Sequence, residues 1–433
     1  MIKKLKFSFL CYLISGLLIT FFLFQTVHSR NFENAFTDSK PRYFEVINFW
    51  IDDGFIKTFG LWPRDLEAKS FSNVAKKNAE EKAFYVNDGM GYLHPAYVVQ
   101  KIFHVFSNKT SYKLYTYQNQ LYLILSSIFL SILACRIFLL YGSNTTNSFI
   151  MGLVCQLIYL TFPVNLFYYW GAYPTAINSV FITLFLLLIF EINFNPRKII
   201  FKYKLIIAIT VFFIAHTSLY IGILFISFYI LTCLILNKDF ISYKIIFQII
   251  VLPLIAALIL FFSQLLFVKL NYNPEFVGSS FNYRSGFDGD ILRYKSYLNL
   301  IFDRTRYSNT LYQWYELMVF SFISLVVYLA INIYNELFSK NYLPIYRKSL
   351  FVIVVSLGAY FPYALLFTQS TVIHAKVFDP YLLIPLILIT FSSLPAILEK
   401  ASRFKGLFCL LFLVIGIFLS LINLRLYSIE YPL

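Results

Sequence analysis

Asp38, Arg42 and Tyr43 open a short polar stretch, Asp38-Ser39-Lys40-Pro41-Arg42-Tyr43, that runs on to Trp50-Ile51-Asp52-Asp53-Gly54. A carboxylate such as Asp38 can take the proton of an attacking hydroxyl, or can serve as a solvated residue or helix cap beside Pro41. Asp52-Asp53 offers a second acidic group for the same task, or a helix-end turn before Gly54, and Asp88 in Asn87-Asp88-Gly89 has the composition of a turn. His94-Pro95-Ala96-Tyr97 sets an imidazole at a helix start. Helix N-terminal amides and a cationic ring both attract phosphate there, and a plain capping histidine is the alternative.

A second group of candidates lies later. Arg284, Arg293 and Arg304, with Lys295 and Arg306, alternate with aromatic residues and with Asp288, Asp290 and Asp303. Guanidinium forks grip phosphate with two parallel bonds. Gly286-Phe287-Asp288-Gly289-Asp290 is either a turn or part of a divalent-ion site. His374 and Lys376, just before Asp379-Pro380, are placed to reach a lipid phosphate, or Lys376 snorkels from a helix end. The chain has no P-loop, GxGxxG fingerprint, HExxH or CxxC pair, so nucleotide-driven and zinc-hydrolase chemistries lose their usual support. No metal ligand set is assigned.

The elements that position these residues belong to a membrane. The 433 residues are 59% hydrophobic and only 13% charged, outside the range of soluble domains. Apolar runs fall at 7–27, 119–140, 149–170, 175–193, 205–236, 245–269, 315–335, 350–369, 381–398 and 407–427, most of a length that crosses a hydrocarbon core of ~30 Å. The 205–236 run would make a helix of about 48 Å at 1.5 Å per residue, so two shorter helices turning near His216-Thr217-Ser218 are expected. All five cysteines lie in such runs and read as small packing residues.

The net charge of +15 is a topology signal and not a nucleic-acid footprint. About 16 Lys and Arg against about four carboxylates lie in or beside the start, 195–204, 237–244, 336–349 and 399–405, which the positive-inside bias makes cytoplasmic. The result is a single domain, 1–433, an all-α polytopic bundle of about 11 transmembrane helices with the N-terminus inside. The first extracytoplasmic loop then covers 28–118 and a second covers 270–314. Lys3-Lys4-Leu5-Lys6 and the apolar run after it read as an uncleaved first helix, because no small-x-small site follows. Arg136 and Glu191 fall near the inner ends of their helices and are expected to face headgroups. No charged ladder crosses the membrane centre, as a proton pump requires.

Within the first loop, Tyr43, Val46, Ile47, Trp50 and Ile51 share one helical face, with Pro41 at the start and Gly54 at the end. Val98, Val99, Ile102, Phe103 and Phe106 share a face of a second helix beginning at Pro95. Both suit helices lying in the membrane interface, as floor and wall of a site open to lipid.

These motifs resemble the GT-C glycosyltransferases, nearest to the protein O-mannosyltransferase and lipid A aminoarabinose transferase branch. Asp38 to Ile56, read as D-x-x-x-R-Y-x-E-x-x-x-x-W-I-x-x-G-x-I, is similar to that branch's acidic-then-RY helix, and His94-Pro95-Ala96-Tyr97 to its H/K-P-P-L motif. Three features depart from the pattern: Asp38-Ser39 stands where the branch has an acidic pair, Arg42-Tyr43 lies one residue further on, and Ala96 replaces the second proline.

The resemblance implies a polyprenyl-phosphate-linked sugar donor, a lipid, glycan or protein acceptor, and inverting transfer at the extracytoplasmic face of an inner membrane. It also implies Asp38 as base, with Asp52 or Asp53 as substitutes. Arg42, Tyr43, Asp88, His94, Arg284, Arg293, Arg304, His374 and Lys376 would hold the substrates. Metal use varies among such enzymes, which leaves a Mg or Mn ion open. The rival classes are a polysaccharide polymerase or ligase, a lipid-linked-sugar transporter and a non-catalytic assembly subunit.

Overall fold

The computed structural model describes residues 2–28, 40–56, 59–63, 84–85, 90–162, 165, 174–194, 201–236, 243–271, 319, 321–330, 333, 343–366, 375–400 and 405–430. Asp38, Asp88, Arg284, Arg293, Arg304 and His374 lie outside them.

The described residues are mostly helical. Helix α1 is Ile2–His28, α2 Lys40–Phe49, α3 His94–Ser107, α4 Tyr112–Leu140, α5 Thr145–Thr161, α6 Pro174–Phe194, α7 Phe201–Thr217 and α8 Leu219–Leu236. A short α9, Tyr243–Ile246, runs through a π-helical turn, Phe247–Val251, into α10, Leu252–Asn271. After it come α11, Ser321–Ala330, α12, Leu343–Leu357, α13, Phe361–Leu366, α14, Ala375–Lys400, and α15, Lys405–Glu430. Among the described residues the one strand pairing is a small antiparallel ladder joining Trp62 to Tyr85 and Pro63 to Phe84. Among the described residues, five stretches are long and apolar enough to cross a bilayer: Tyr112–Leu140, Thr175–Ile192, Phe247–Phe267, Ser349–Leu366 and Gly406–Arg425.

The expected break in the 205–236 run falls at Ser218, between α7 and α8. The reversal there is tight. A Cβ on Gly222 would stand 2.4 Å from the Ile214 carbonyl oxygen and 2.6 Å from Ala215 Cα, so only glycine lets the two backbones close.

Two helix starts carry their own side-chain caps. Ser111 Oγ accepts from Leu114 N–H at the start of α4, and Asn144 Oδ1 accepts from Asn147 N–H at the start of α5; both satisfy a backbone donor that the helix leaves open. Gly142, at φ +77°, makes the turn between these helices.

Buried polar groups tie the bundle together, because hydrocarbon offers them no partner. Gln156 on α5 donates from Nε2 to the Tyr12 carbonyl of α1 at 2.8 Å, and its Oε1 accepts from Ser15. Gly152 permits this approach: a Cβ there would lie 2.0 Å from Tyr12 Oη. Asn178 on α6 donates to Tyr381 Oη on α14 and accepts from Thr217 Oγ1 on α7. The starts of α6 and α14 and the end of α7 therefore meet at one end of the bundle.

Arg136 and Glu191, expected at headgroups, pair instead with each other across α4 and α6, Nε to Oε1 3.1 Å.

Candidate functional site

The cap on that end of the bundle is built from α2 and α3. On α2 the apolar face that the spacing predicts packs against the protein, where the sequence suggested the membrane interface. Val46, Ile47 and Trp50 are fully buried, while Glu45 and Asp52 face out. They pack with Tyr92, Leu93, Ala96, Tyr115 on α4 and Ile177 on α6 in a core of their own. The helix leaves α2 through a π-helical turn, Trp50–Gly54, which holds the Asp52-Asp53 pair. Gly54, at φ +106°, ends it.

Helix α3 behaves differently. Its buried side is Ala96 and Gln100, and its apolar face is outward, with Val98 51%, Ile102 56% and Phe106 86% exposed. Gln100 brackets the α3–α4 corner: Nε2 donates to the Ser111 carbonyl at 2.8 Å and Oε1 accepts from Ser111 N–H at 2.9 Å. An outward apolar stripe beside a buried polar residue fits a helix lying against lipid.

His94, the first residue of α3, makes no helix cap. Its ring sits among Trp50, Phe55 and His216, with centroid separations of 5.7, 4.9 and 4.9 Å. The bonds fix the tautomers. His94 Nε2 is 3.1 Å from the Gly60 carbonyl oxygen, which only accepts, so Nε2 carries a proton. Burial holds His94 neutral, pulling its pKa down to about 4, with the Gly60 carbonyl opposing weakly. Nδ1 is then a bare acceptor, and His216 Nε2 donates to it across 2.9 Å.

The surroundings hold this chain of bonds in place. Phe212, one turn earlier on α7, stacks on His216 at 5.4 Å, and Phe55 stacks on Tyr97 at 4.7 Å. Gly60 has φ +67°, and a Cβ there would lie 2.7 Å from the Phe55 ring and 2.8 Å from His94 Nε2. A Cβ on Gly91 would stand 2.1 Å from the His216 carbonyl oxygen. Trp50 Nε1 donates to the Leu61 carbonyl at 3.0 Å, and Gln264 of α10 donates to that of Phe59 at 3.1 Å. The loop between α2 and the ladder is thereby tied to α10 directly and to α7 through His94.

The structure thus brings His94 beside the turn that carries Asp52 and Asp53, with Arg42 and Tyr43 in the first turn of α2. Lys376 lies in the first turn of α14, ahead of Tyr381, whose bond to Asn178 places that helix start at the same end of the bundle. Both ring nitrogens of His94 are engaged within the protein, by His216 and by the Gly60 carbonyl. Lys101 reaches back from α3 to the Ile51 carbonyl at 3.4 Å, near the end of the π turn, where a cation is favoured.

Sequence reasoning missed His216 as a partner. An imidazole in an otherwise apolar run was the available signal, but no spacing links it to His94. Among the described residues no cluster of three or more His, Cys, Asp or Glu is arranged to hold a metal.

No protein-family model matches this chain, and neither curated proteins nor solved structures give a match.

Proposed function

We propose that this chain is a GT-C-type glycosyltransferase of a cell inner membrane, moving a sugar from a polyprenyl-phosphate donor to an acceptor hydroxyl at the extracytoplasmic face. The observation that carries the reading is the cap itself. An inward-packed α2, its acidic turn and the outward-apolar α3 are latched through His94 and His216 to one end of an apolar bundle. A site made this way meets lipid on one side and water on the other, which is what a lipid-linked donor and a polar acceptor need. The break at Ser218 supports the proposed topology of about 11 crossings, because the basic loops on both sides of the run require an even return.

In this reading Asp38 takes the acceptor proton while the acceptor oxygen attacks the anomeric carbon, and the bond from that carbon to the phosphate oxygen breaks. Asp52 or Asp53 is the alternative base. Arg42, Lys376 and the arginines Arg284, Arg293 and Arg304 stabilise the charge that develops on the departing phosphate, where such a site gains most of its rate. Tyr43, Asp88 and His374 complete the substrate contacts, and a Mg or Mn ion remains open. His94, neutral and doubly bonded, holds the cap and leaves phosphate to the cationic side chains.

The test is purified protein incubated with radiolabelled polyprenyl-phosphate sugars and a membrane lipid extract, wild type beside Asp38→Asn. Label should pass to a new product only with wild type. Equal transfer by the variant removes Asp38 from the mechanism, and intact donor across the panel moves the reading to a transporter or assembly subunit.

A further inference from the structure

A small cleft opens beside the His latch, between the cap and the bundle. Tyr92, Tyr115, Gln118, Asn119, Tyr122 and Ile177 line it, with the start of α3 over them. It stands in the cap's own core, since Tyr92, Tyr115 and Ile177 also pack beneath α2. The polar content is unusual for this depth. Tyr115 and Asn119 are buried to within a few per cent. Gln118 donates from Nε2 to Tyr122 Oη at 2.5 Å, yet its buried Oε1 finds no partner among the described residues. Leaving a buried amide oxygen unmet costs about 1–3 kcal/mol.

From this we infer that the cleft is a recognition site for one hydroxyl of an uncharged sugar. Three properties lead there. First, the space admits about one water-sized group, so a single hydroxyl or hydroxymethyl enters and the rest of the ligand stays at the mouth. Second, a hydroxyl both donates and accepts, so it satisfies the Gln118 amide in either of its two flipped orientations. Third, the lining is amide, phenol and hydrocarbon with no ionised side chain, so a carboxylate or ammonium would enter uncompensated. Aromatic rings at the rim suit the apolar face of a sugar ring. That the hydroxyl belongs to a sugar rests on the glycosyltransferase reading; the need for a neutral donor–acceptor group does not.

The experiment is saturation-transfer NMR on the full chain in detergent. The probes are the methyl glycosides of neutral hexoses and pentoses beside those of a uronic acid and an amino sugar. Wild type should saturate at least one neutral glycoside. Gln118→Leu and the milder Tyr122→Phe should each raise its apparent Kd about five- to tenfold, the loss of one buried hydrogen bond. Equal binding by both folded variants overturns the site, as does equal binding of the charged glycosides. Signal from none of the probes in wild type means that the cleft holds water only, and also overturns it. The same proteins go through the transfer assay. Gln118-dependent binding without transfer would leave the cleft standing while the enzyme reading fails. Transfer with donor and acceptor KM unchanged in Gln118→Leu would do the reverse.

Discussion

His216 donates its Nε2 proton to Nδ1 of His94 across 2.9 Å, and this bond closes a span of 122 residues. It joins the start of α3 to the end of α7, so the first loop is attached to the bundle through a directional contact between two neutral rings. Replacing His216 by Phe keeps the ring stacking on Phe212 but leaves His94 Nδ1 a buried acceptor without a donor, a loss of about 1–3 kcal/mol. His216→Gln, which retains an N–H of similar reach, should recover part of it. Tryptophan fluorescence melts should rank wild type above Gln and Gln above Phe. Equal melts for Phe and wild type would show that apolar packing alone seats the cap.

The same pair sets a pH dependence. His94 titrates near 6.5 when unfolded and at about 4 when folded, because burial disfavours its charged form. Below pH 6.5 the unfolded chain therefore binds the extra proton and the folded chain does not. Stability from this group is complete above 6.5 and is lost as pH falls from there through about 4. Melts between pH 7.5 and 4.5 should decline across that window in wild type and decline less in His94→Gln. An unchanged slope in the variant would assign the effect to other groups.

Three glycines separate backbone strain from crowding. Gly142→Ala forces a residue with a Cβ into φ +77° in open space, and should cost about 1–2 kcal/mol. Gly60→Ala adds contacts at 2.7 Å with the Phe55 ring and 2.8 Å with His94 Nε2, so it should cost more. In Gly91→Ala the obstacle is the His216 carbonyl oxygen at 2.1 Å, which no rotamer relieves, and the cap should detach from α7. Limited proteolysis within 57–89 should accelerate most in Gly91→Ala and least in Gly142→Ala. The reverse order would mean that the α3–α7 contact does not hold the cap.

What could be read in the sequence follows from which forces are local. The apolar face of α2 was legible because Val46, Ile47 and Trp50 repeat at helical spacing, and Gly54 as its end because only glycine takes φ +106° easily, but that protein and not the membrane interface covers this face was not. The break at Ser218 followed from the length of the run and the basic loops on both sides of it. For α3 the expected interfacial helix agrees with its outward apolar face, whereas the burial of Gln100 was not legible, because periodicity does not tell what covers the opposite side. Val98, Ile102 and Phe106 face outward while Gln100, a polar residue, is fully buried. His94 with His216, and Gln118 with Tyr122 under the cap, depend on the packing of distant helices, which leaves no mark in spacing. Asp38 and the arginines of 270–314 lie outside the described residues, so their part in the site stays an expectation from the motifs.

Arg136 and Glu191 test the same limit inside the bundle. Each was expected to find its own headgroup, yet Nε and Oε1 meet at 3.1 Å between α4 and α6, with side chains only 20% and 15% exposed. Removing one partner of a fully buried pair costs about 3–5 kcal/mol, chiefly because the other charge is stranded. Residual exposure here should reduce that to about 2 kcal/mol. Arg136→Leu and Glu191→Leu should therefore each destabilise strongly, and the double variant should be no worse than either, since it strands nothing. A double-mutant cycle on melting midpoints reads the coupling directly. Strict additivity would mean that lipid headgroups neutralise each residue separately, as their positions near the helix ends first suggested. A coupling of about 1 kcal/mol or more would make the pair an internal bond that fixes the register of α4 against α6, and with it the Ile177 wall of the cleft.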